Sequence, residues 1–210
     1  MGQKIHPIGY RLGISKDWKS RWYADKSSYA DKTFEDLKIR KYLSDKLSQA
    51  GLKVVEIERT ENEMNIYIKV SKPGLVIGRG GAGVEVLEKE LKTITGSKIK
   101  ITAEEIKTPE IESQLVAEYI CRQLKRRMPY RRVAVFASNA AIDKGAKGIK
   151  IRLSGVLSGS NTISRSEEFV LGSIPLQTLR ADIDYAQVDC HLLFGTIGIK
   201  VWIYKGEVAL

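Results

Sequence analysis

The chain has 210 residues, of which 43% are hydrophobic, and carries a formal net charge of +10. This length accommodates one large domain or two small ones, and this hydrophobic content excludes a disordered chain. The excess of Lys and Arg predicts a polyanion or an anionic surface as the partner.

The first 32 residues mix basic, aromatic and turn-forming residues. This mixture is typical of an arm that neutralises nucleic acid and stacks on it. A terminus whose aromatic residues fold back onto the first domain is the open alternative. The residues concerned are Lys4, Arg11, Lys16, Lys19, Arg21, Tyr10, Trp18, Trp22 and Tyr23.

Residues 33–108 predict a first α/β domain with the order α-β-β-α-β. Thr33 is expected to cap a helix that ends before Gly51, with Asp36 as the reciprocal capping partner. The apolar face of that helix is predicted to hold Phe34, Leu37, Leu43 and Leu47. Strands are predicted at 52–58, 64–70 and 98–103, with a hairpin turn at 61–63 and a helix over 82–95 that ends at Gly96.

A glycine-rich stretch, LVIGRGGAGVEVLEKEL at 75–91, lies at the centre of this domain, after a short helical lead-in. Gly78, Arg79, Gly80 and Gly81 form a glycine-x-x-glycine turn, which we call the glycine turn, and an amphipathic helix follows it. Glycines let a ligand approach the backbone closely, and a helix beginning there directs free N–H groups at phosphate. Together with the positive charge of Arg79, this arrangement is typical of a type II KH domain that binds single-stranded RNA.

Two other interpretations of the glycine turn stay open. It can be a plain tight turn between two elements. Gly78, Gly80 and Gly83 also match G-x-G-x-x-G, with Glu104 and Glu105 downstream as a dinucleotide site requires. Pro73-Gly74 counts against the dinucleotide site, because that fingerprint should follow a strand directly.

After Thr108-Pro109 the sequence predicts a second α+β domain, of two helices on a four-stranded, mainly antiparallel sheet. The helices are predicted at 110–128 and 130–143, and the strands at 149–153, 163–171, 183–194 and 197–204, with a turn at Gly195-Thr196. We therefore divide the chain into an arm (1–32), a KH type II domain (33–108) and a C-terminal domain (109–210).

The connection between the two helices of the second domain is strongly basic. From Arg122 to Arg132, six of eleven residues are basic and none is acidic. Such a run is often only a solvated face, but its position at a helix–helix corner favours contact with nucleic acid. We call Arg126, Arg127, Arg131 and Arg132 the basic corner. The strand at 149–153 alternates apolar residues with Lys150 and Arg152, which predicts a second basic face.

Catalytic chemistry is not indicated. The sequence lacks a P-loop, neither of its histidines has a partner at metal-ligand spacing, and no Ser or Cys has a nearby base. Asp182, Asp184, Asp189 and His191 are the one imaginable carboxylate metal site. We expect no catalytic residue, cofactor or metal. Cys121 and Cys190 stand alone in apolar surroundings, which predicts buried thiols in a cytosolic protein, and no apolar run approaches membrane-spanning length.

Six stretches give the chain a close resemblance to the S-three family of bacterial small-subunit ribosomal proteins, over nearly its whole length. They are GQKIHPIGYRLG (2–13), VIGRGG (76–81), YRRV (130–133), GAKGIKI (145–151), IPLQTLRADIDY (174–185) and GTIGIKVWIYKGE (195–207).

The resemblance implies a structural, non-catalytic RNA-binding protein in the head of the small subunit. It implies rRNA and neighbouring proteins of the S-ten, S-fourteen and S-two families as partners, in the cytoplasmic ribosome, without a membrane and without a homo-oligomer. It also implies that the basic corner lines the path by which messenger RNA enters, with Arg131 and Arg132 as the family's basic pair. The residues we expect to bind RNA are Gly78, Arg79, Gly80, Gly81, Arg126, Arg127, Arg131, Arg132, Lys4, Arg11, Lys150 and Arg152.

The chain departs from the family's usual pattern in three places. Val135 stands where relatives often have a basic residue, which predicts weaker strand opening at the corner. The stretch Leu157–Glu168 is rich in serine, which predicts a weaker rRNA contact there, and the chain ends soon after Glu207 without a basic tail. The alternative functions are a free-standing KH-type RNA chaperone or elongation factor and, from the enzyme class, a nucleotide-dependent dehydrogenase.

Overall fold

The computed structural model describes residues 4–60, 63–95, 98–157 and 163–208, without the side chains of residues 79 and 94. The chain forms two compact units. The first unit spans Trp18–Lys107, and the second joins the described residues up to Asp17 to those from Thr108 onward. The unit boundaries therefore follow Asp17 and Lys107. The sequence analysis predicted boundaries after residues 32 and 108. The predicted turn residues 61 and 62, the predicted helix stop Gly96 and most of the serine-rich stretch (158–162) lie outside the described residues.

The described residues form six α-helices and eight strands, with short 3-10 turns at Arg79–Gly81 and Pro109–Ile111. In chain order they are α1 (Pro7–Arg11), β1 (Ser20–Arg21), α2 (Tyr29–Lys46), β2 (Leu52–Arg59), β3 (Glu63–Val70), α3 (Pro73–Ile77), α4 (Ala82–Thr95), β4 (Lys98–Glu105), α5 (Ser113–Lys125), α6 (Tyr130–Asp143), β5 (Gly148–Gly155), β6 (Arg165–Gly172), β7 (Ala181–Leu192) and β8 (Gly195–Glu207). In this part of the chain no helix is long and apolar enough to cross a membrane.

The sheet of the first unit has the strand order β1-β2-β3-β4 and carries α2 and α4. β2 pairs antiparallel with β3, and β3 pairs parallel with β4. Met64, Ile66, Ile68 and Val70 alternate into the core, as the pattern of apolar residues predicted. The predicted order α-β-β-α-β is confirmed, and the two-residue strand β1 is added at the edge.

The start of α2 was predicted wrongly, and of its predicted apolar face Leu43 and Leu47 are confirmed whereas Phe34 and Leu37 are not. The helix begins at Tyr29, and the hydroxyl of Thr33 donates to the carbonyl of Tyr29 (2.8 Å) within it instead of capping it. Ile39, Leu43 and Leu47 form the buried face. At 100° per residue Phe34 and Leu37 lie on the opposite side, where they are 62% and 57% exposed.

Asp36, predicted as a capping partner, is instead the buried centre of a polar cluster. It accepts hydrogen bonds from the indole N–H of Trp22 (2.8 Å), the hydroxyl of Ser20 (3.0 Å) and Nε of Arg59 (3.0 Å). Trp22 is thereby fixed to the first unit, in agreement with the alternative in which the aromatic residues of the first 32 residues fold back.

The second unit packs α5 and α6 on an antiparallel sheet with the order β6-β5-β8-β7. Its core joins Ile149, Ile151 and Leu153 of β5 to alternate residues of β8 and to small residues of α6. This arrangement confirms the predicted α+β domain. The predicted helix over 110–128 is shorter, because a 3-10 turn precedes α5. The β7–β8 loop is Leu193-Phe194, not Gly195-Thr196, because Gly195 already pairs with Leu192.

Both cysteines lie in this core, as predicted. Burial, helped by the hydrogen-bonding contact with Cys121, raises the pKa of the Cys190 thiol to about 12. A thiol held in its protonated form is a poor nucleophile, so the buried pair has a packing role.

Candidate nucleic-acid interface

The glycine turn joins α3 to α4 through backbone conformations that favour glycine. Gly78, Gly80 and Gly81 have φ values of 69°, 63° and 89°, which side chains rarely adopt. A β-carbon placed on Gly80 or Gly81 would meet no atom within 4 Å. The turn therefore exposes its backbone to open space directly before the first residue of α4, Ala82, where free N–H groups favour phosphate.

Gly83 has a different role, which the sequence analysis did not assign. A β-carbon on Gly83 would overlap the carbonyl oxygen of Val76 and lie 3.0 Å from that of Ile77. Gly83, the third glycine of G-x-G-x-x-G, is therefore required because the first turn of α4 packs directly on the backbone of α3. The fingerprint follows a helix rather than a strand, so the dinucleotide interpretation is wrong.

Replacing Gly83 with Ala should destabilise the first unit by at least about 2 kcal/mol, because the added methyl group overlaps backbone that has no free rotamer. Gly74→Ala is the matched control. It also lies in the first turn of a helix, but its β-carbon would meet nothing within 4 Å. Urea unfolding followed by circular dichroism measures both. Equal urea midpoints for the two variants would show that α3 and α4 can move apart without loss of stability.

Three exposed aliphatic side chains flank the glycine turn: Leu75 and Ile77 on α3 and Val86 on α4. Apolar side chains next to a phosphate-binding turn give the bases of a bound strand a surface to lie against. Leu75 and Ile77 belong to the aliphatic stretch before the glycines, and Val86 is on the helix that follows them.

The basic corner occupies the end of α5, the connection through Pro129 and the first turn of α6. All four of its arginines are exposed. Arg127 has a φ of 60°, the one non-glycine residue with positive φ in the described part of the chain. It closes α5 through two hydrogen bonds, from its own N–H to the carbonyl of Leu124 (2.9 Å) and from the N–H of Met128 to that of Gln123 (3.2 Å). This is the helix-ending motif in which glycine usually stands.

Arg127→Gly should therefore raise the free energy of unfolding by about 1 kcal/mol, because glycine removes the strain of the left-handed conformation. It should also weaken RNA binding. The slope of the logarithm of the binding constant against the logarithm of the salt concentration should fall by about one, because one phosphate contact is lost. Arg126→Ala removes the same charge where φ is −82° and should weaken binding without this gain in stability. Urea unfolding and RNA titration at several salt concentrations test both. A less stable Arg127→Gly variant would contradict the assignment.

The fold brings an acidic residue to the basic corner. Glu167 on β6 accepts from Nη2 (3.1 Å) and Nε (3.3 Å) of Arg131 and from the hydroxyl of Tyr130 (2.8 Å). The hydrogen bond with Glu167 raises the pKa of Arg131, and the hydrogen bond from Arg131 lowers the pKa of Glu167. Among the described residues Arg131 is the member of the basic corner for which an ion pair is observed. The corner is therefore partly neutralised at one of its four cations.

Lys150 and Arg152 lie on the face of β5 that points away from the helices, where both approach Glu168. Nζ of Lys150 is 2.6 Å from the carboxylate of Glu168, and Nε of Arg152 is 3.8 Å from it. The hydrogen bond from Lys150, with the charges of Lys150, Lys4 and Arg152, lowers the pKa of Glu168. The structure thus brings together three predicted RNA-binding residues from the arm and from β5.

Arg11 is a correction to the predicted RNA-binding residues. Its side chain is 0% exposed, and burial lowers its pKa. The guanidinium donates to the carbonyls of Pro7 (3.1 Å), Leu176 (2.9 Å), Thr178 (2.7 Å) and Ala181 (2.8 Å). These bonds use its donors inside the second unit, so burial contradicts the predicted RNA contact and Arg11 has a structural role.

Two of the three acidic residues considered for a metal site have other partners. Asp182 pairs with Lys16, and Asp184 accepts from the backbone N–H of Ser113 (2.9 Å). Within the residues that the structure describes, no group of three or more His, Cys, Asp or Glu side chains is arranged to hold a metal ion.

Comparison with known proteins matches both units. Residues 38–111 match the family model described as KH domain, and residues 120–203 match the one described as ribosomal protein S3, C-terminal domain. The chain is 51% identical over 208 residues to the small ribosomal subunit protein uS3 of Carboxydothermus hydrogenoformans, covering 99% of this chain and 93% of the relative. Proteins of the same name from Desulforamulus reducens and Enterococcus faecalis are each 50% identical, over 99% of this chain and 94% of each relative.

Proposed function

The chain belongs to the uS3 family of small ribosomal subunit proteins, a structural family without enzymatic activity, and from that premise we propose that it binds small-subunit rRNA in the subunit head and lines the path by which messenger RNA enters. The proposed neighbours are the S-ten, S-fourteen and S-two families, and the proposed location is the ribosome in the cytoplasm. Two surfaces of the second unit have different proposed roles: the basic corner contacts messenger RNA, and the outer face of β5 contacts rRNA.

The basic corner carries the messenger part of the proposal. Arginine binds phosphate bidentately and is always charged, and contacts to phosphate carry no sequence information. A channel that accepts every messenger needs contacts of this kind. The hydrogen-bonded end of α5 at Arg127 fixes the direction in which the chain leaves the helix, so the corner is a rigid element and not a loose basic tail.

The outer face of β5 carries the rRNA part. Lys150 and Arg152 are held by cross-strand pairs to β6 and β8, and Lys4 joins them from the segment before α1. A contact that must persist through assembly is best made by residues on such rigid strands.

Sedimentation of an affinity-tagged chain tests the proposal. It should travel with small subunits through washing in moderate salt, and crosslinks to rRNA should map to the β5 face while crosslinks to messenger map to the basic corner. A chain that sediments alone would support the free-standing RNA chaperone or elongation factor instead. Messenger crosslinks on the β5 face with rRNA crosslinks on the corner would reverse the two assignments.

A further inference from the structure

A cavity of about 640 Å³ lies on the outer face of the sheet of the second unit. Its floor is formed by β5, β7 and β8, and its walls by the segment leading into α1 and by the loop at Leu176 and Gln177. Neither the glycine turn nor the basic corner contributes to it. Its volume falls in the range of pockets that hold a small ligand, about 300–1,000 Å³.

The strand register places two rows of residues across this floor. One row is Arg152 on β5, Lys200 on β8 and Gln187 on β7. The neighbouring row is Trp202 on β8 and Tyr185 on β7; Lys150, the partner of Trp202 on β5, lies outside the lining. Residues two apart on a strand share a face, so both rows point away from the helices.

The first row puts two like charges side by side. Arg152 and Lys200 are direct cross-strand partners, an arrangement that destabilises a sheet unless an anion lies between them. Lys4 adds a third cation to the lining, and none of the described residues that line the cavity is acidic. Glu168 lies outside the lining, where it accepts from Lys150 and lies 3.8 Å from Nε of Arg152, so one carboxylate offsets only part of the positive charge of this face. The cavity is therefore suited to an anionic group.

The second row makes part of the cavity floor aromatic. The ring centroids of Tyr185 and Trp202 are 5.1 Å apart, and the ring of His6 meets that of Tyr185 edge-on at 5.0 Å. Trp202 is buried and Tyr185 is half-buried, so the rings are held in place by their neighbours. A fixed aromatic ring beside cations is the combination that binds the bases of unpaired nucleotides.

From these two rows we infer that the cavity takes one unpaired nucleotide extruded from structured RNA. Its base lies against Tyr185, its flanking phosphates contact Lys4, Arg152 and Lys200, and the amides of Gln177 and Gln187 meet the base edge. Glutamine amides both donate and accept, as base edges require. The cations come from three separate segments, which suits a backbone that continues on both sides of the nucleotide better than the single phosphate of a free mononucleotide. This inference rests on the proposed rRNA-binding function.

Two RNA hairpins that differ by one bulged uridine test the inference with the full chain. Fluorescence anisotropy should show that the chain binds the bulged hairpin about tenfold more tightly than the fully paired one, the effect of stacking one base. Tyr185→Ala should abolish this preference, whereas Tyr185→Phe, which keeps the ring, should retain it. Lys200→Gln should weaken binding of the bulged hairpin more than Lys144→Gln, which removes an exposed lysine outside the cavity.

A second measurement needs no variant. Irradiation of the wild-type chain with a hairpin that carries 5-iodouridine at the bulge should give a crosslink to Tyr185 or Trp202, located by mass spectrometry. Uridine monophosphate at millimolar concentration should not displace the bulged hairpin. Displacement would show a site for free mononucleotide and overturn the inference.

The two hairpins also separate this inference from the function on which it rests. Equal affinity for both hairpins, or a crosslink only outside the cavity, overturns the nucleotide pocket and leaves rRNA binding intact. Failure to bind either hairpin at low salt overturns both.

Discussion

Replacing Arg79 and Gly80 together with Asp should abolish binding of single-stranded RNA by the first unit while leaving that unit folded. The change lowers the net charge by three at the point where the N–H groups of α4 begin, so phosphate meets repulsion instead of attraction. We expect affinity at low salt to fall by about 100-fold or more, since several phosphate contacts lose their favourable field.

The unit should stay folded because Gly80 tolerates a side chain. A β-carbon there meets no atom within 4 Å, and Asp is among the residues that adopt the left-handed conformation of Gly80. The strain costs about 1 kcal/mol, which circular dichroism and urea unfolding will register as a small shift. Gly78 would be a poorer choice, because its β-carbon would lie 3.0 Å from the backbone nitrogen of Gly83.

The matched control is Lys89→Asp with Lys92→Asn, two exposed positions further along α4. This pair also lowers the net charge by three but leaves the turn intact, so it should weaken binding far less. Anisotropy of a labelled single-stranded oligonucleotide with a Trp18–Lys107 fragment measures both variants. Unchanged affinity of the Arg79/Gly80 variant would show that the glycine turn is not part of the RNA site. Equal losses of affinity in this variant and in the Lys89/Lys92 control would show that the turn contributes only through net charge.

The elements predicted correctly are those whose pattern is local. β3 alternates strictly, and α4 and α6 have helical spacing between clear start and stop residues, so periodicity alone located them. The start of α2 was missed because Thr33 and Asp36 fit a capping pair, whereas Asp36 belongs to the buried face of the helix and accepts from Trp22 and Arg59. No local pattern shows that a carboxylate has such partners.

In the candidate site, too, the features that are contiguous in sequence were predicted, and those formed by long-range pairing were not. The glycine turn and the basic corner are contiguous in sequence and were predicted as units. Glu167 reaches Arg131 across 36 residues of chain, and the row of Arg152, Lys200 and Gln187 exists only through the register of three strands. Arg11 was misassigned because three of the four carbonyls that accept from it belong to residues more than 160 positions away. Long-range pairing decides which of many similar cations are at the surface.

Replacing Arg131 and Arg132 with Ala should leave small subunits assembled but slow translation of structured messenger, with little effect on unstructured messenger. The two arginines stand in the first exposed turn of α6, and Ala is a good helix former, so the fold should be unaffected. The loss should be partial, about tenfold or less, because Arg126 and Arg127 remain and each phosphate contact contributes only a share of the binding free energy. Gradient profiles and translation rates on a matched pair of messengers measure the two effects.

The ion pair between Arg131 and Glu167 makes this prediction sharper. Arg131 must exchange its carboxylate partner for phosphate, whereas Arg132 has no such competitor among the described residues. Arg132→Ala alone should therefore cost more than Arg131→Ala alone, and Glu167→Gln should increase the speed on structured messenger by releasing Arg131. A double variant that fails to enter subunits would make the corner an rRNA anchor. Equal slowing on both messengers would remove the corner from the path by which messenger enters, and a Glu167→Gln variant slower than the parent would show that the carboxylate orients Arg131 toward phosphate rather than competing for it.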